Sequence, residues 1–192
     1  MTMGVVVALL GSVLAAEPTR GFERDGVGLE LGGFVGFHSA SGVNEGHEPT
    51  GTEFSGTVRL RLGRHFGVGV TYESVSVIIG QGGDADYLYS RQQLALDVQW
   101  RFLDEGVLRP WLAAGMAWGS LARNQGFCQD CSVSGSFVWE YLRLQAGLDF
   151  VFARSFAVGP ALRVGLARWD APEGARTVTT VVAGLRVTVA LP

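Results

Sequence analysis

Hydrophobic and polar residues alternate along most of this chain with a period of two. In the segment VRLRL, which begins at Val58, the apolar residues share one side of an extended strand, and Arg59 and Arg61 share the other. The alternation resumes after GRH at 63–65, which predicts a hairpin with one apolar and one polar face. A soluble barrel encloses its apolar face, whereas a barrel in a bilayer displays it. The pattern alone leaves both orientations open.

Eight segments show this period, and no helical period separates them, so the predicted fold is all-β with eight antiparallel strands. The predicted strands lie near 27–38, 54–63, 66–77, 88–102, 109–121, 137–152, 156–168 and 177–191. Strand five carries no charge that fixes its orientation. We place its larger residues, Leu112, Met116 and Trp118, on the apolar face because the small residues between them suit a crowded interior. In strand six the same alternation places Tyr141 on the polar face.

The connections between these strands alternate in length. Short connections are predicted at 63–65, 103–108 and 153–155, and longer ones at 39–53, 78–87, 122–135 and 168–176. This alternation is typical of up-and-down outer-membrane barrels, which have short periplasmic turns and longer external loops. It favours the bilayer orientation.

Aromatic residues on the apolar face form two groups. The group beside the short turns is Phe66, Trp100, Phe102, Phe150, Phe152 and Phe156; the group towards the longer loops is Phe37, Phe54, Tyr72 and Trp118. Two aromatic bands about 25 Å apart are what the two interfaces of a bilayer select. The aromatic pattern therefore agrees with the connection lengths.

Composition and the N-terminus narrow the possibilities. With 28 glycines, 47% hydrophobic residues, a net charge of −3 and no basic tract, the chain is neither disordered nor a nucleic-acid binder. Residues 1–16, MTMGVVVALLGSVLAA, have the apolar run and small terminal residues of a secretory signal peptide, although a buried first strand is an alternative. We therefore expect a signal peptide at 1–16, a short segment at 17–26 and a barrel at 27–192.

The stretches LELGGFVGFH, RPWLAAGMAWG and LRLQAGLDFVFARSFAVGPALRVG resemble the small eight-stranded outer-membrane barrels of the OmpA/OmpX type. The resemblance covers residues 27–191 and implies a transmembrane barrel in the bacterial outer membrane. It also implies two partners, a bilayer with a lipopolysaccharide leaflet and the barrel-assembly machinery. It does not specify an activity, because this fold carries porin-like, adhesive, structural and enzymatic members.

In this orientation the charged residues of the strands point into the lumen. They are Glu30, Arg59, Arg61, Glu73, Arg91, Asp97, Arg101, Arg143, Asp149, Arg163 and Arg186. Eight strands leave an interior that side chains fill, and a buried charge needs a partner or water. We therefore predict interlocked Arg-carboxylate bridges and no wide pore, with a narrow anion-selective path as the alternative.

The three histidines do not define a site. His65 lies in a predicted short turn, where a solvated role is expected. His38 precedes a loop with His47 and carboxylates, but neither a nucleophile motif nor metal-ligand spacing surrounds them. We predict no catalytic residue, no metal and no cofactor.

These observations predict a non-enzymatic integral outer-membrane barrel that acts through its external loops or as a structural element of the envelope. The first alternative is a narrow anion-selective channel or small-molecule transporter. The second is a soluble periplasmic carrier of the lipocalin type, whose apolar faces line a ligand cavity.

Cys128 and Cys131 form a CxxC pair in the third long connection. A redox centre needs a helix N-terminus and zinc needs two further ligands, so a disulfide is the expected state in an oxidising envelope. Intact mass spectrometry of the secreted chain should show a mass lower by two hydrogens, which reduction restores. A chain whose mass does not change on reduction would contradict this prediction.

Overall fold

The protein is a closed barrel of eight antiparallel strands in a computed structural model that describes residues 26–42, 50–79, 87–103, 106–125, 134–153, 155–171 and 174–191. The strands are β1 (Val27–Ser41), β2 (Thr50–Leu62), β3 (Phe66–Ile79), β4 (Tyr87–Arg101), β5 (Leu108–Gln125), β6 (Ser134–Ala153), β7 (Phe156–Ala171) and β8 (Gly174–Leu191). Each strand pairs with the next in sequence, and β8 pairs with β1 to close the barrel. The predicted fold class is confirmed.

The alternation in the sequence becomes an inside and an outside. Val58 and Leu60 are 51% and 45% exposed on the outer surface, whereas Arg59 and Arg61 are 6% and 2% exposed in the lumen. This is the arrangement of a barrel in lipid and the reverse of a soluble carrier, which buries its apolar faces. The lipocalin-like alternative is therefore wrong.

Strand β5 has the orientation that its small residues predict. Leu112, Met116 and Trp118 lie outside, and Ala113 and Ala117 are buried inside. The close approach of β4 to β5 accounts for the glycine at position 119. A Cβ at Gly119 would overlap the carbonyl oxygen of Gln92 on β4.

Exposed aromatic rings occur at both ends of the outer surface. At the end where the three short turns lie, here called the short-turn end, Phe66 packs edge-on against Trp100 with 4.2 Å between ring centroids. At the opposite, long-loop end, Trp139 packs against Tyr141 at 6.0 Å. Apolar side chains such as Leu96 cover the surface between them, which gives the barrel an apolar belt with aromatic margins.

The predicted long connection at 168–176 is wrong. Strand β7 continues to Ala171 and β8 begins at Gly174, so only residues 172 and 173 connect them. The antiparallel pairing of β7 and β8 runs as far as Ala171 and Gly174. Gly174 has a φ of 122°, a backbone conformation that glycine adopts readily. The polar residues at this end belong to the exposed rim of the sheet. Their polarity is also typical of loops, which is why the sequence predicted a loop here. The other three connections at this end remain longer.

Tyr141 lies outside the barrel, so its predicted place on the inner face is wrong. The register of β6 shifts between Glu140 and Leu142 against β7 and between Glu140 and Arg143 against β5, which marks a β-bulge. Tyr141 and Leu142 therefore both face outwards, at 42% and 41% exposure. A bulge adds one residue and reverses the alternation beyond it.

Several predicted features lie outside the described residues. They are the signal peptide at 1–16, most of the segment at 17–26, His47, and the pair Cys128 and Cys131. Among the described residues, no helix is long and apolar enough to cross a membrane.

Leu96 lies midway along β4 on the outer surface and is 42% exposed. We expect Leu96→Arg to destabilise the barrel in phospholipid vesicles by about 2–4 kcal/mol, because the charge would lie near the bilayer midplane. The same change at Val27, at the short-turn rim, should cost about 0–1 kcal/mol. Urea titration of folding into vesicles measures both, and equal costs would contradict the proposed lipid-facing belt.

Candidate functional site: the charged lumen

All eleven charged residues that the sequence assigns to the lumen lie there. Each is 7% exposed or less, and all of them except Arg61 belong to one of two groups at different heights, together with Glu53 and Glu140. The short-turn cluster contains Glu30, Arg59, Asp97, Arg101, Asp149 and Arg186, and the long-loop cluster contains Glu53, Glu73, Arg91, Glu140, Arg143 and Arg163. Alternation along eight paired strands is what brings side chains from distant parts of the chain together.

Two direct ion pairs anchor the short-turn cluster. Arg101 donates from both terminal nitrogens to Glu30, at 2.7 and 2.6 Å, so this pair is bidentate and crosses the lumen from β4 to β1. Arg59 Nη2 donates to Asp97 Oδ1 at 2.7 Å. Both pairs are almost fully buried, where leaving either partner alone is costly.

Arg186 is held differently, mainly by neutral groups. Its Nη1 donates to Gln99 Oε1 at 2.9 Å and its Nε to Thr188 Oγ1 at 3.0 Å. The guanidinium carbon lies 4.2 Å from the ring centroid of Trp111. The nearest oxygen of Asp149 is 4.0 Å from its Nη2, and the same carboxylate accepts a hydrogen bond from Trp111 Nε1 at 3.1 Å.

Glu73 is the centre of the long-loop cluster. It accepts hydrogen bonds from both terminal nitrogens of Arg143 and from Arg163 Nη1, the last at 2.7 Å, and also from Gln93. Arg163 bridges to a second carboxylate, Glu53, through both of its terminal nitrogens. One carboxylate thus joins two guanidiniums, and one guanidinium joins two carboxylates.

Glu140 completes the long-loop cluster from strand β6. It accepts from Arg143 Nη1 at 3.3 Å and from Thr180 at 3.2 Å. Arg91 approaches Glu53 only to 4.0 Å, and none of its side-chain nitrogens has a hydrogen-bond partner among the described residues. The cluster therefore contains three guanidiniums and three carboxylates.

Sequence reasoning missed three buried charges. Glu53 falls in a predicted loop, although the alternation of β2 extended backwards from Arg59 would have placed it inside. Strict alternation from Arg143 would place Glu140 on the outer face. The bulge of β6 between them places it inside the barrel. Arg109 is the second residue of β5 and is 4% exposed, with Nε donating to the carbonyl of Gly106 at 3.2 Å.

Apolar side chains lie at both ends of the charged lumen. A group at the long-loop end, here called the apolar cap, contains Ala40, Val75, Leu121, Val138, Ala167, Trp169 and Val178, all 5% exposed or less. At the short-turn end, Ala157 and Ala190 pack with Val151. The long-loop cluster therefore lies beneath an apolar layer, and the charged side chains of both clusters are buried.

The described histidines do not form a catalytic or metal site. His38 is 2% exposed inside the lumen, and neither ring nitrogen has a hydrogen-bond partner among the described residues. His65 is less solvated than its turn position predicts, because its Nδ1 lies 2.9 Å from the carbonyl oxygen of Arg101 and its ring stacks on Trp100. Within the described ranges, no three potential ligands gather as a metal site would require.

Several solved outer-membrane proteins share this architecture. Neisserial surface protein A aligns with a TM-score of 0.67 at 13% identity, over 86% of this chain and 99% of that chain. The N-terminal β-barrel domain of Pseudomonas aeruginosa OprF aligns at 0.55 and 16% identity, over 88% of this chain and 100% of that one. The chain has the fold of the small eight-stranded outer-membrane barrels.

A third outer-membrane protein, OprG from Pseudomonas aeruginosa, aligns with a TM-score of 0.51 at 13% identity, over 87% of this chain and 98% of that chain. No family model and no curated protein matches the sequence. At these identities the likeness concerns the fold alone. Together with the apolar outer belt, this fold places the protein in the bacterial outer membrane.

The pair of Arg101 and Glu30 allows a direct test of the lumen energetics. We expect Arg101→Met to destabilise the barrel by about 3–5 kcal/mol, because Glu30 would keep a buried charge without its partner. The double variant Arg101→Met with Glu30→Leu should be less destabilised than the sum of the two single changes. Urea-dependent folding, followed by tryptophan fluorescence, measures each free energy of unfolding.

The exposed pair of Arg168 and Asp170 provides the control. Its Nε to Oδ1 distance is 3.0 Å, but the side chains are 59% and 46% exposed. Arg168→Met should cost only about 0–1 kcal/mol. An Arg101→Met barrel as stable as the Arg168→Met barrel would show that the buried pair does not support the fold.

Proposed function

We propose that this protein is a non-enzymatic integral outer-membrane barrel with a plugged lumen, acting through its external loops or as a structural element of the envelope. The barrel supplies a rigid frame whose inner side chains interlock. Its longer connections all lie at one end. Such a division assigns stability to the strands and recognition to the loops.

The observation that carries the plug is the hydrogen-bonded chain through Glu53, Arg163, Glu73 and Arg143. These residues come from β2, β7, β3 and β6, so the chain spans the lumen across non-neighbouring strands. The apolar cap lies beyond it on the long-loop side. An ion crossing the barrel would have to break several buried, charge-assisted hydrogen bonds, each stronger than a neutral one.

The mixture of buried charges favours a plug over a pore. The long-loop cluster contains three arginines and three glutamates, the short-turn cluster contains three arginines and three carboxylates, and Arg61 and Arg109 are two further buried arginines. Ion-selective pores can use rings of charged side chains of one sign. Here arginines and carboxylates are interleaved, and most of the carboxylates accept hydrogen bonds from arginines.

Support for a surface role comes from the external connections. The solved barrel with a TM-score of 0.67 is itself named a surface protein. The predicted disulfide between Cys128 and Cys131 would stiffen the third external loop, as a presented surface requires. A lipopolysaccharide-bearing leaflet and the barrel-assembly machinery are the partners that this location implies.

The absence of an enzymatic site is part of the proposal. Known chemistry of small barrels acts through a nucleophile with a nearby base. His38 and His65 are the described histidines, and neither ring has a serine hydroxyl or a carboxylate as a hydrogen-bond partner among the described residues. The proposal therefore assigns no catalytic residue.

Planar-bilayer recording tests the plug. The full chain, reconstituted after purification from outer membranes, should show no steady ion-selective openings, because the Glu73 and Glu53 bridges block the lumen. Heat-modifiable gel migration of the same sample verifies that folded protein is present. A lack of openings then cannot be explained by missing protein.

Steady anion-selective openings by the folded barrel would overturn the plug and favour the channel alternative. A variant combining Glu73→Ala with Arg143→Ala serves as the comparison, since it removes the central bridge. If it retains heat-modifiable migration, it should show openings that the unaltered chain lacks.

A further inference from the structure

A small cavity lies in the lumen between the two ion-pair clusters. Its volume is about 30 Å³, which suits one or two waters or one monatomic anion. The side chains around it include Arg59, Arg143, Arg163 and Arg186, together with Thr57. No described Asp or Glu lines it. All the charged side chains that line the space are therefore positive, and the carboxylates paired with three of them lie behind this lining.

Three donor nitrogens on these guanidiniums are buried without a hydrogen-bond partner among the described residues. They are Arg59 Nε, Arg163 Nε and Arg186 Nη2, and their side chains are at least nine-tenths buried. A buried donor without a partner costs free energy, more so when it is charged. An acceptor within the cavity would remove that cost.

Arg186 is the strongest of these candidates. Its hydrogen bonds go to Gln99 and Thr188, which are neutral, and Asp149 stays 4.0 Å away. Its charge is therefore not matched by a hydrogen-bonded carboxylate among the described residues. A guanidinium in that state at the wall of a cavity without carboxylates attracts an anion more strongly than it attracts water.

We propose that this mid-lumen cavity binds a small monovalent anion of the halide class, with chloride the natural occupant. Arg59, Arg163 and Arg186 donate to it, and Arg143 adds positive potential. The anion completes the plug from within by linking the short-turn cluster to the long-loop cluster. The site depends on the barrel and its buried arginines, and it does not depend on what the external loops recognise.

Gly32 and Gly56 provide a matched pair of variants. Gly32 lines the cavity and faces the lumen by the alternation of β1, and a Cβ there would meet Thr57 Cβ at an ordinary 3.4 Å. Gly56 does not line the cavity and is exposed on the neighbouring strand β2, and a Cβ there would meet nothing within 4 Å. Gly32→Ala therefore fills the cavity without removing a charge, and Gly56→Ala adds the same methyl outside it.

Bromide is the probe for the occupant. Crystals of the full-chain barrel grown with bromide in place of chloride should show an anomalous peak in the cavity, within hydrogen-bonding range of Arg186 and at least one other guanidinium. A cavity that holds only water under these conditions overturns the proposal. Because this measurement uses the unaltered chain, it does not depend on whether any variant folds.

Thermal unfolding in detergent, followed by gel migration, gives the second readout. At equal ionic strength, bromide should raise the midpoint with a saturable dose dependence, and gluconate, which is too large for a cavity of about 30 Å³, should not. Gly32→Ala should weaken the apparent bromide affinity by about tenfold or more, while Gly56→Ala leaves it unchanged.

Equal shifts with bromide and gluconate would mean that ionic strength alone acts, and they would overturn the site. So would a folded Gly32→Ala barrel with an undiminished bromide response. Neither result bears on bilayer conductance, so failure of the anion site and failure of the plug can be told apart.

Discussion

Pairing of buried arginines with carboxylates is the constraint on which this barrel depends. Eight strands close around an interior too narrow for bulk water, so a charge that points inwards is costly unless it finds a partner across the lumen. The bidentate pair of Arg101 and Glu30, with oxygen contacts of 2.7 and 2.6 Å, and the bridges around Glu73 meet that demand. In return these pairs join strands that are not neighbours in the sheet.

The outer surface requires apolar side chains, so each strand must be apolar on its outer face and polar or charged on its inner face. Leu60 faces lipid beside Arg59 and Arg61, which face the ion-pair layers. Backbone hydrogen bonds close completely from β1 to β8, as a sheet in hydrocarbon requires. A recognition role for the external loops would then leave the frame unchanged, since the strands carry the stability.

Several errors of the sequence-based prediction occur near the ends of strands or at irregularities in their pairing. The bulge at Tyr141 turns that ring to the outside and Glu140 to the inside, which no count of alternating residues anticipates. The β7–β8 connection shrinks to two residues because pairing continues through polar sequence at the rim. Both cases arise from partner strands, which a local pattern does not contain.

By itself the sequence determined the strand number, the antiparallel order and the face on which most charges lie, because a period of two is a local property of each segment. Only the tertiary structure decided which arginine meets which carboxylate, since those contacts depend on register across the closed lumen. Arg163 meeting Glu53 and Glu73 is such a case, over 110 and 90 residues of sequence. The cavity beside Arg186 likewise exists only where four strands bring their guanidiniums together.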